Sequence, residues 1–375
     1  MKPALVLGIM SGTSVDGVDY ALCEIGPGRI RLRDLWAVAF PRALQRRLHE
    51  AARGDANSWE LAQLHHDLGR FYAARARAKT QRRQVAVVGL HGQTIFHRPS
   101  RKEPATFQLG EPAYLAETIG VPVVSNFRAA DLAAGGQGAP LAAMFHKLVF
   151  ARRGRHICVN NLGGISNVTS IDWRRGDEPR LLAFDTGPAN VLLDLATRKL
   201  SRGKLSCDHD GTWAAQGRVH EPLLHEWLKH PFFRRKPPKS TGRELFGEPF
   251  FHASLPRMRQ ARLSKFDTLA TFTALTARSM ALNYRLHLPA PPDAVVLAGG
   301  GAANTVLRDN IQTELRRIQP SMLVQTSKDY GWPLQSIEPA AFALLAWLRL
   351  QGKPGNLPET TGARRAVVLG QITAT

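Results

Sequence analysis

Apolar and polar positions change rhythm at recurring punctuation along the chain, and those changes predict its elements. Residues 7–25 (LGIMSGTSVDGVDYALCEI) begin as an apolar run, stop at a polar, glycine-bearing turn, and restart as an apolar–polar alternation through Val18, Tyr20 and Leu22. That is the pattern of two β-strands joined by a turn. Residues 29–40 predict a third strand, and Leu61, Leu64, Leu68 and Phe71 fall at helical spacing over 58–80, behind Asn57 and Ser58 as caps. VAVVGL (85–90) predicts a buried strand running into His91-Gly92-Gln93-Thr94, 111–119 a helix, and VPVVS (121–125) another strand. A glycine-rich loop, AAGGQGAPLA, then feeds a helix ending at Phe150.

A second cycle starts near residue 156. ICVNNLGGISNVTSI repeats strand, Gly-Gly turn and strand, RLLAFDTG is a strand ending on a carboxylate, and Pro188–Leu200 is a helix with proline in its first turn. A long helix over 267–287 is expected behind Asp267 as cap, DAVVLAGGGAANTVLRDNI reads as strand, triple-glycine turn and helix, and Pro339 begins a last helix to residue 350. No solenoid-type period is present. Each half opens with a strand–glycine turn–strand unit, which predicts an α/β protein of two mixed lobes facing a cleft, 1–152 and 153–375.

Composition narrows the class. The 375 residues, 44% of them hydrophobic, suffice to bury a sizeable core. Cys23, Cys158 and Cys207 are scattered, which fits a reducing compartment and argues against a disulfide framework or structural zinc. MKPALVLGIM leads into no small-residue cleavage pattern and no later stretch approaches membrane-spanning length, so a cytoplasmic protein without a membrane partner is expected. The formal charge of +20 is carried by arginines spread along the chain, with no long run of like charge and no aromatic interleaving. A solvated basic surface follows rather than a nucleic-acid footprint, and its field favours anionic small substrates.

Three turns at strand ends combine glycine with hydroxyl or amide side chains: 11–17, 162–167 and 299–304. Glycine lets backbone N–H groups approach a ligand closely, and successive N–H groups make anion-binding concavities. Thr13 and Ser14 can donate to phosphate oxygens, and Asp16 can hold a hydrated divalent cation. The third turn precedes a helix, whose N-terminal dipole favours the same anion. None of the three matches a Walker A loop or G-x-G-x-x-G. Singly each is a tight turn; together, with Gly163 and Gly164 in the second and Gly299, Gly300, Gly301 and Asn304 in the third, they point to nucleotide binding. Asp185, at a strand end, is either a catalytic base or the cap of the following helix.

GIMSGTSVDGVDYAL, HGQTIFHRP, the segment from FQLGEPA to VVSNFRAAD, GGQGAPL, NLGGISN, FDTGPAN, PKSTGREL, AGGGAAN and KPGNLPETTGA occur in order from residue 8 to beyond 360. In these stretches the chain resembles the anhydro-N-acetylmuramic acid kinase family, a branch of the actin and sugar-kinase ATPases. The resemblance implies a two-lobed, actin-like (ribonuclease H-like) fold of mixed sheets flanked by helices, with its active site in the interlobe cleft. It implies ATP-dependent conversion of 1,6-anhydro-N-acetylmuramic acid to N-acetylmuramic acid 6-phosphate in bacterial cell-wall recycling. It also makes Gly12, Thr13, Ser14, Val15, Asp16, Gly17, Val18 and Asp19 the ATP phosphate-binding segment, and Asp185 the base.

The chemistry needs such parts. Phosphoryl transfer calls for Mg²⁺ and donors on the phosphates. Opening the bridge calls for a carboxylate to take a proton from water, and the γ-phosphorus can capture the departing O6, so one carboxylate can suffice where an inverting glycosidase needs two. His91 and Gln93 are candidates to face the sugar, Arg128 and Asp131 to hold the lactyl carboxylate and a hydroxyl, Asn167 to bond sugar or phosphate, and Glu338 to act at metal or sugar. Each has a plain alternative as a core residue, ion pair, turn closer or first-turn helix acid. The loop Lys239–Arg243 is either a substrate contact or a surface turn. Departures from the family pattern are Ala189 in place of glycine, Asn126 in place of aspartate, and Leu334-Gln335-Ser336 in place of acidic residues. Expected partners are the small-molecule substrates, with a homodimer as candidate assembly.

Overall fold

Strand β1 (Ala4–Ser11) is an unbroken apolar run because both of its faces are covered. It pairs antiparallel with β2 (Gly17–Gly26), and β2 with β3 (Arg29–Ala39). On its other side β1 runs parallel to β4 (Val85–Arg98), which pairs antiparallel with β5 (Ala105–Leu109) and parallel with β6 (Val123–Ser125). A C-terminal strand, Gln371–Thr373, closes the far edge against β6. The computed structural model from which this is read describes residues 3–12, 14–99 and 102–375.

These strands belong to a unit formed by 1–149 and 335–375; residues 150–334 form a second unit. The last segment therefore departs from the expected 153–375 lobe, for a packing reason. Helix Ile337–Leu350 lies on β1, β2 and β4, where a cross-strand row of small residues, Ala21, Gly8 and Gly89, lets it approach closely. A Cβ on Gly8 would run into the Pro339 carbonyl, and one on Gly89 into that of Phe342. The opposite face is covered by helices Arg42–Arg53, Ser58–Thr80 and Ala113–Ile119, with Leu7, Ile9, Leu48, Leu68 and Tyr72 in the core.

The second unit repeats the plan. Strands β7 (His156–Leu162), β8 (Ile165–Asp172) and β9 (Arg180–Pro188) form an antiparallel meander. Strand β10 (Ala294–Ala298) runs parallel to β7, and β11 (Leu323–Thr326) parallel to β10. The orders β3-β2-β1-β4-β6 and β9-β8-β7-β10-β11 are equivalent, so the two units repeat one mixed sheet flanked by helices, as expected of two α/β lobes. Helix Lys265–His287 backs the second sheet, and Trp227, Phe232, Phe233, Phe246 and Phe272 fill the space beside it.

Differences from expectation have local causes. Helix 265–287 starts at Ser264, whose hydroxyl accepts from the Asp267 amide while Asp267 reaches back, so Asp267 is the partner of the cap and not the cap. Pro188 ends β9, and the next helix begins at Asn190. Asn57 caps 58–80 through a capping box with Glu60, leaving Ser58 as first helical residue. Helix Arg42–Arg53, β5 and helix Phe127–Ala133 carry weak signals: the first two helical turns of 42–53 lack a side-chain cap and hold arginines between Leu44 and Leu48.

Candidate functional site

In the first unit the β1–β2 turn is held from several directions. The Val15 N–H donates to Gly12 O at 3.2 Å, Gln45 Nε2 donates to Val15 O at 2.8 Å, and Gln93 Nε2 donates to Gly12 O at 3.0 Å. Gln93 thus braces the turn, with no side-chain surface left exposed. Val15 sits at φ 59°, a conformation costly for a β-branched residue, and its side chain and that of Val18 are buried in the core. Only their backbones can serve a ligand. Ser14 Oγ donates to Asp16 Oδ1 at 2.6 Å. Gly17 has no room for a side chain, because a Cβ would lie 2.6 Å from Val38 O on β3. Thr13 lies outside the described residues.

Asp19 follows on β2. Burial first, then the carboxylates of Glu338 and Asp16, push its pKa up to about 7. Glu338 is likewise raised by burial, against the pull of Arg128. The Arg128 guanidinium donates to Gly138 O at 2.6 Å and to His91 Nε2 at 2.8 Å. His91 Nδ1 lies 2.7 Å from Gly92 O, so the proton sits on Nδ1 and Nε2 is the acceptor. With burial and the Arg128 charge holding its pKa well below the usual histidine range, His91 is neutral and orients Arg128. Asp131 is fully buried and committed: it accepts from Gly138 N–H, Asn356 Nδ2 and Thr361 Oγ1, each at 2.7 Å. Expected at a ligand, it instead ties the glycine loop to the C-terminal segment, which leaves it no face for a sugar.

Among the described residues no three His, Cys, Asp or Glu side chains form a ready cation cage. Mg²⁺ does not require one, since it takes one or two carboxylates and completes its shell with water and phosphate oxygens. The hard oxygen donors Asp16, Asp19 and Glu338, whose mutual repulsion helps raise Asp19, fit such an ion. Asp16, with its carboxylate turned to Ser14, is one member of this set.

In the second unit Asn161, Asn167 and Asp185 face one another as successive cross-strand partners on β7, β8 and β9. A bulge between Ser166 and Asn167 sets Asp185 opposite Asn167. The Asp185 N–H donates to Lys239 O at 3.1 Å, and the Thr241 N–H donates to Asp185 Oδ2 at 2.8 Å. Burial pushes the Asp185 carboxyl up to about 7; the Thr241 N–H and the Lys239 charge oppose this, and Glu244 adds to it. Asp185 does not cap the following helix. The amides of Ala189, Asn190 and Val191 donate instead to the carbonyls of Gly164, Gly163 and Gly164. Ala189 has φ −128°, so its Cβ is tolerated.

The triple glycine is packed from below: Gly299 N–H donates to Leu334 O at 2.9 Å, and a Cβ on Gly301 would lie 2.8 Å from Asn190 Oδ1, whereas Gly300 is exposed. Asn304 Oδ1 accepts from Leu307 N–H at 3.0 Å and so caps helix Thr305–Arg316. Sequence reasoning missed Asn161, which the doubled Asn of VNNLGG signals, and the bracketing of Asp185 by Lys239 and Thr241.

Residues 4–375 match the family model described as Anhydro-N-acetylmuramic acid kinase. Curated relatives bearing that description include one from Crocosphaera subtropica, 42% identical over 377 residues with 98% of each chain covered. Another, from Acaryochloris marina, is 43% identical over 380 residues, covering 98% of this chain and 99% of the relative. Among solved structures, the activator of the 2-hydroxyisocaproyl-CoA dehydratase from Clostridium difficile with bound ADPNP aligns over 92% of this chain and 96% of its own, at TM-score 0.45 and 11% identity.

Proposed function

The chain belongs to the anhydro-N-acetylmuramic acid kinase family, and on that premise we propose how its residues carry out the reaction. It is an ATP-dependent kinase that opens 1,6-anhydro-N-acetylmuramic acid and phosphorylates it in cell-wall recycling. Asp185 acts as the base: it takes a proton from a water whose oxygen bonds to C1 as the C1–O6 bond breaks. The freed O6 bonds to the γ-phosphorus, ADP leaves, and Asp185 passes its proton to solvent. The observation that carries this reading is the Asp185 carboxyl itself, half-buried near the end of β9 and oriented through Oδ2 by the Thr241 N–H. A pKa of about 7 makes it a stronger base than an ordinary carboxylate while leaving it ionised often enough near neutrality. Such a base contributes roughly 10²–10⁴-fold.

Turn residues 12–19 bind the ATP phosphates through backbone N–H groups and the hydroxyls of Thr13 and Ser14, with Gln93 keeping Gly12 in position. Gly163 and Gly164 shape the second turn, Gly299–Gly301 lie under the adenosine, and Asn304 acts by capping the helix behind them. Asp16, Asp19 and Glu338 hold Mg²⁺, which when bound neutralises charge on the phosphoryl oxygens. Arg128, held by neutral His91, meets the lactyl carboxylate of the sugar, and Asn167 meets a sugar or phosphate oxygen beside Asp185. The net charge of +20 attracts both anionic substrates. No helix among the described residues is long and apolar enough to cross a membrane, and the reading locates the protein in the cytoplasm.

The test is turnover of the anhydro sugar with ATP and Mg²⁺ in water labelled with heavy oxygen. Label on C1 of the phosphorylated product is expected. Product without solvent oxygen at C1 removes the role given to Asp185.

A further inference from the structure

The loop 239–244 holds a lysine that the reaction does not consume. Lys239 is 2% exposed, and its ammonium donates to Phe232 O and Phe233 O at 3.1 Å each and to Asn283 Oδ1 at 2.6 Å. His287 Nε2 lies 3.3 Å away, and the Phe232 ring centroid 4.7 Å. Burying an ammonium costs several kcal/mol unless its donors are satisfied, so a lysine kept there needs a reason beyond filling space.

The reason lies in what the same residue does with its backbone. Lys239 O accepts from Asp185 N–H, and two residues on, Thr241 N–H donates to Asp185 Oδ2. The loop therefore brackets Asp185 at main chain and at carboxylate, and the Lys239 side chain is the peg that fixes the loop. The peg is itself fixed, because Asn283 Nδ2 donates to Thr186 O at 3.0 Å and Thr186 Oγ1 to Ser166 Oγ at 2.7 Å. Both ends of the bracket thus return to β8 and β9, the strands that carry Asn167 and Asp185.

We propose that Lys239 is a positioning residue for the base: its buried ammonium pins the 239–241 loop so that the Thr241 N–H aims the Asp185 carboxylate. This rests on the reading of Asp185 as the base. The charged and titratable groups around Lys239 are Asp185, Arg235 and His287, and those around Asp185 are Lys239 and Glu244. Lys239 is the cation whose charge acts on the Asp185 carboxyl. Burial and Arg235 bring its own pKa down to about 8, against the pull of Asp185, so it is mostly charged at neutral pH.

The test compares Lys239→Met with Asp185→Asn in the full chain. Lys239→Met is expected to lower kcat roughly 10- to 100-fold with KM for ATP and sugar held within about twofold, the split expected when orientation and not binding is lost. Loss of the ammonium also lifts the acid limb of the kcat–pH profile by roughly half to one pH unit, a shift that loosened packing alone does not produce. A kcat within about twofold of the parent, with the acid limb unmoved and Asp185→Asn inactive, overturns the proposal and spares the base. Turnover in both variants overturns the base reading itself. Should Lys239→Met not fold, Lys239→Gln, neutral and still a donor to the Phe232 and Phe233 carbonyls, takes its place with the same rise of the acid limb and a loss of kcat smaller than for Lys239→Met but above twofold; a parental kcat with the limb unmoved overturns the proposal. If neither neutral variant folds, Lys239 serves the fold and not Asp185, and the proposal fails.

Discussion

Residues 12–16 of the first unit and Gly163–Gly164 of the second join the same two strands of the same sheet order, yet they differ in what they hold. The first turn is long, braced by Gln45 and Gln93, and contains a valine in a left-handed conformation. The second is short, and its carbonyls are spent on the first amides of helix Asn190–Leu200. The chemistry is displaced accordingly. On the proposed reading it sits, in the first unit, in the turn and at Asp19 just beyond it, and in the second on β9, at Asp185. A repeated topology therefore fixes where strand ends lie but leaves open which of them carries the reactive group.

The comparison is broken most directly at Asp185. Asp185→Asn is expected to cut kcat by at least 10²- to 10⁴-fold with nucleotide affinity unchanged, read by steady-state kinetics beside calorimetric titration of an ATP analogue. A variant with near-normal turnover would move the base back to the first unit. Next in size is Gly89→Val. Here the side chain meets the Phe342 carbonyl on the helix over the sheet, and a loss of about 3 kcal/mol or more is expected in urea unfolding. Gly300→Ala, in open space, costs under about 1 kcal/mol.

A smaller effect sharpens the electrostatic side. The folded pKa of Asp19, about 7, lies above its ordinary value of 3.8, so the native state holds a proton that the unfolded chain releases between those values. Its contribution is present in full below the lower value and is lost as pH rises through the upper one. The melting temperature of the nucleotide-free protein should therefore fall over that range by a few degrees more in the parent than in Asp19→Asn. Parallel curves for the two proteins would mean that Asp19 is not a protonated carboxyl in the free enzyme. Smallest of all, Asn57→Ala removes one half of a capping box on helix Ser58–Thr80 and should cost about 1 kcal/mol in the same unfolding assay.

Much of this was legible in residue order alone. The hairpin over 7–25 and the strand at 180–188 announce themselves by apolar runs between glycine turns, and helix 58–80 by the helical spacing of its buried Leu64, Leu68, Tyr72 and Ala76. Helix 42–53 did not, since its buried Leu44, Leu48 and Ala51 stand among arginines with no polar cap ahead of them. At the site, Asp185 was reachable from its strand end, whereas the true standing of Asp131 was not. Its three donors come from residues 138, 356 and 361, and no local pattern reveals a partnership across more than two hundred positions. The same holds for Lys239, whose acceptor Asn283 lies 44 residues on.

The close seating of helix Ile337–Leu350 on the glycines of β1 and β4 has a consequence for the order of assembly during translation. The first 149 residues leave the ribosome without the segment that covers one side of their sheet, and residues 150–334 follow as a self-contained body. The amino-terminal sheet must therefore wait, one apolar flank bare, until the end of the message is read. Nascent chains halted near residue 334 should bind chaperones more tightly than full-length ones.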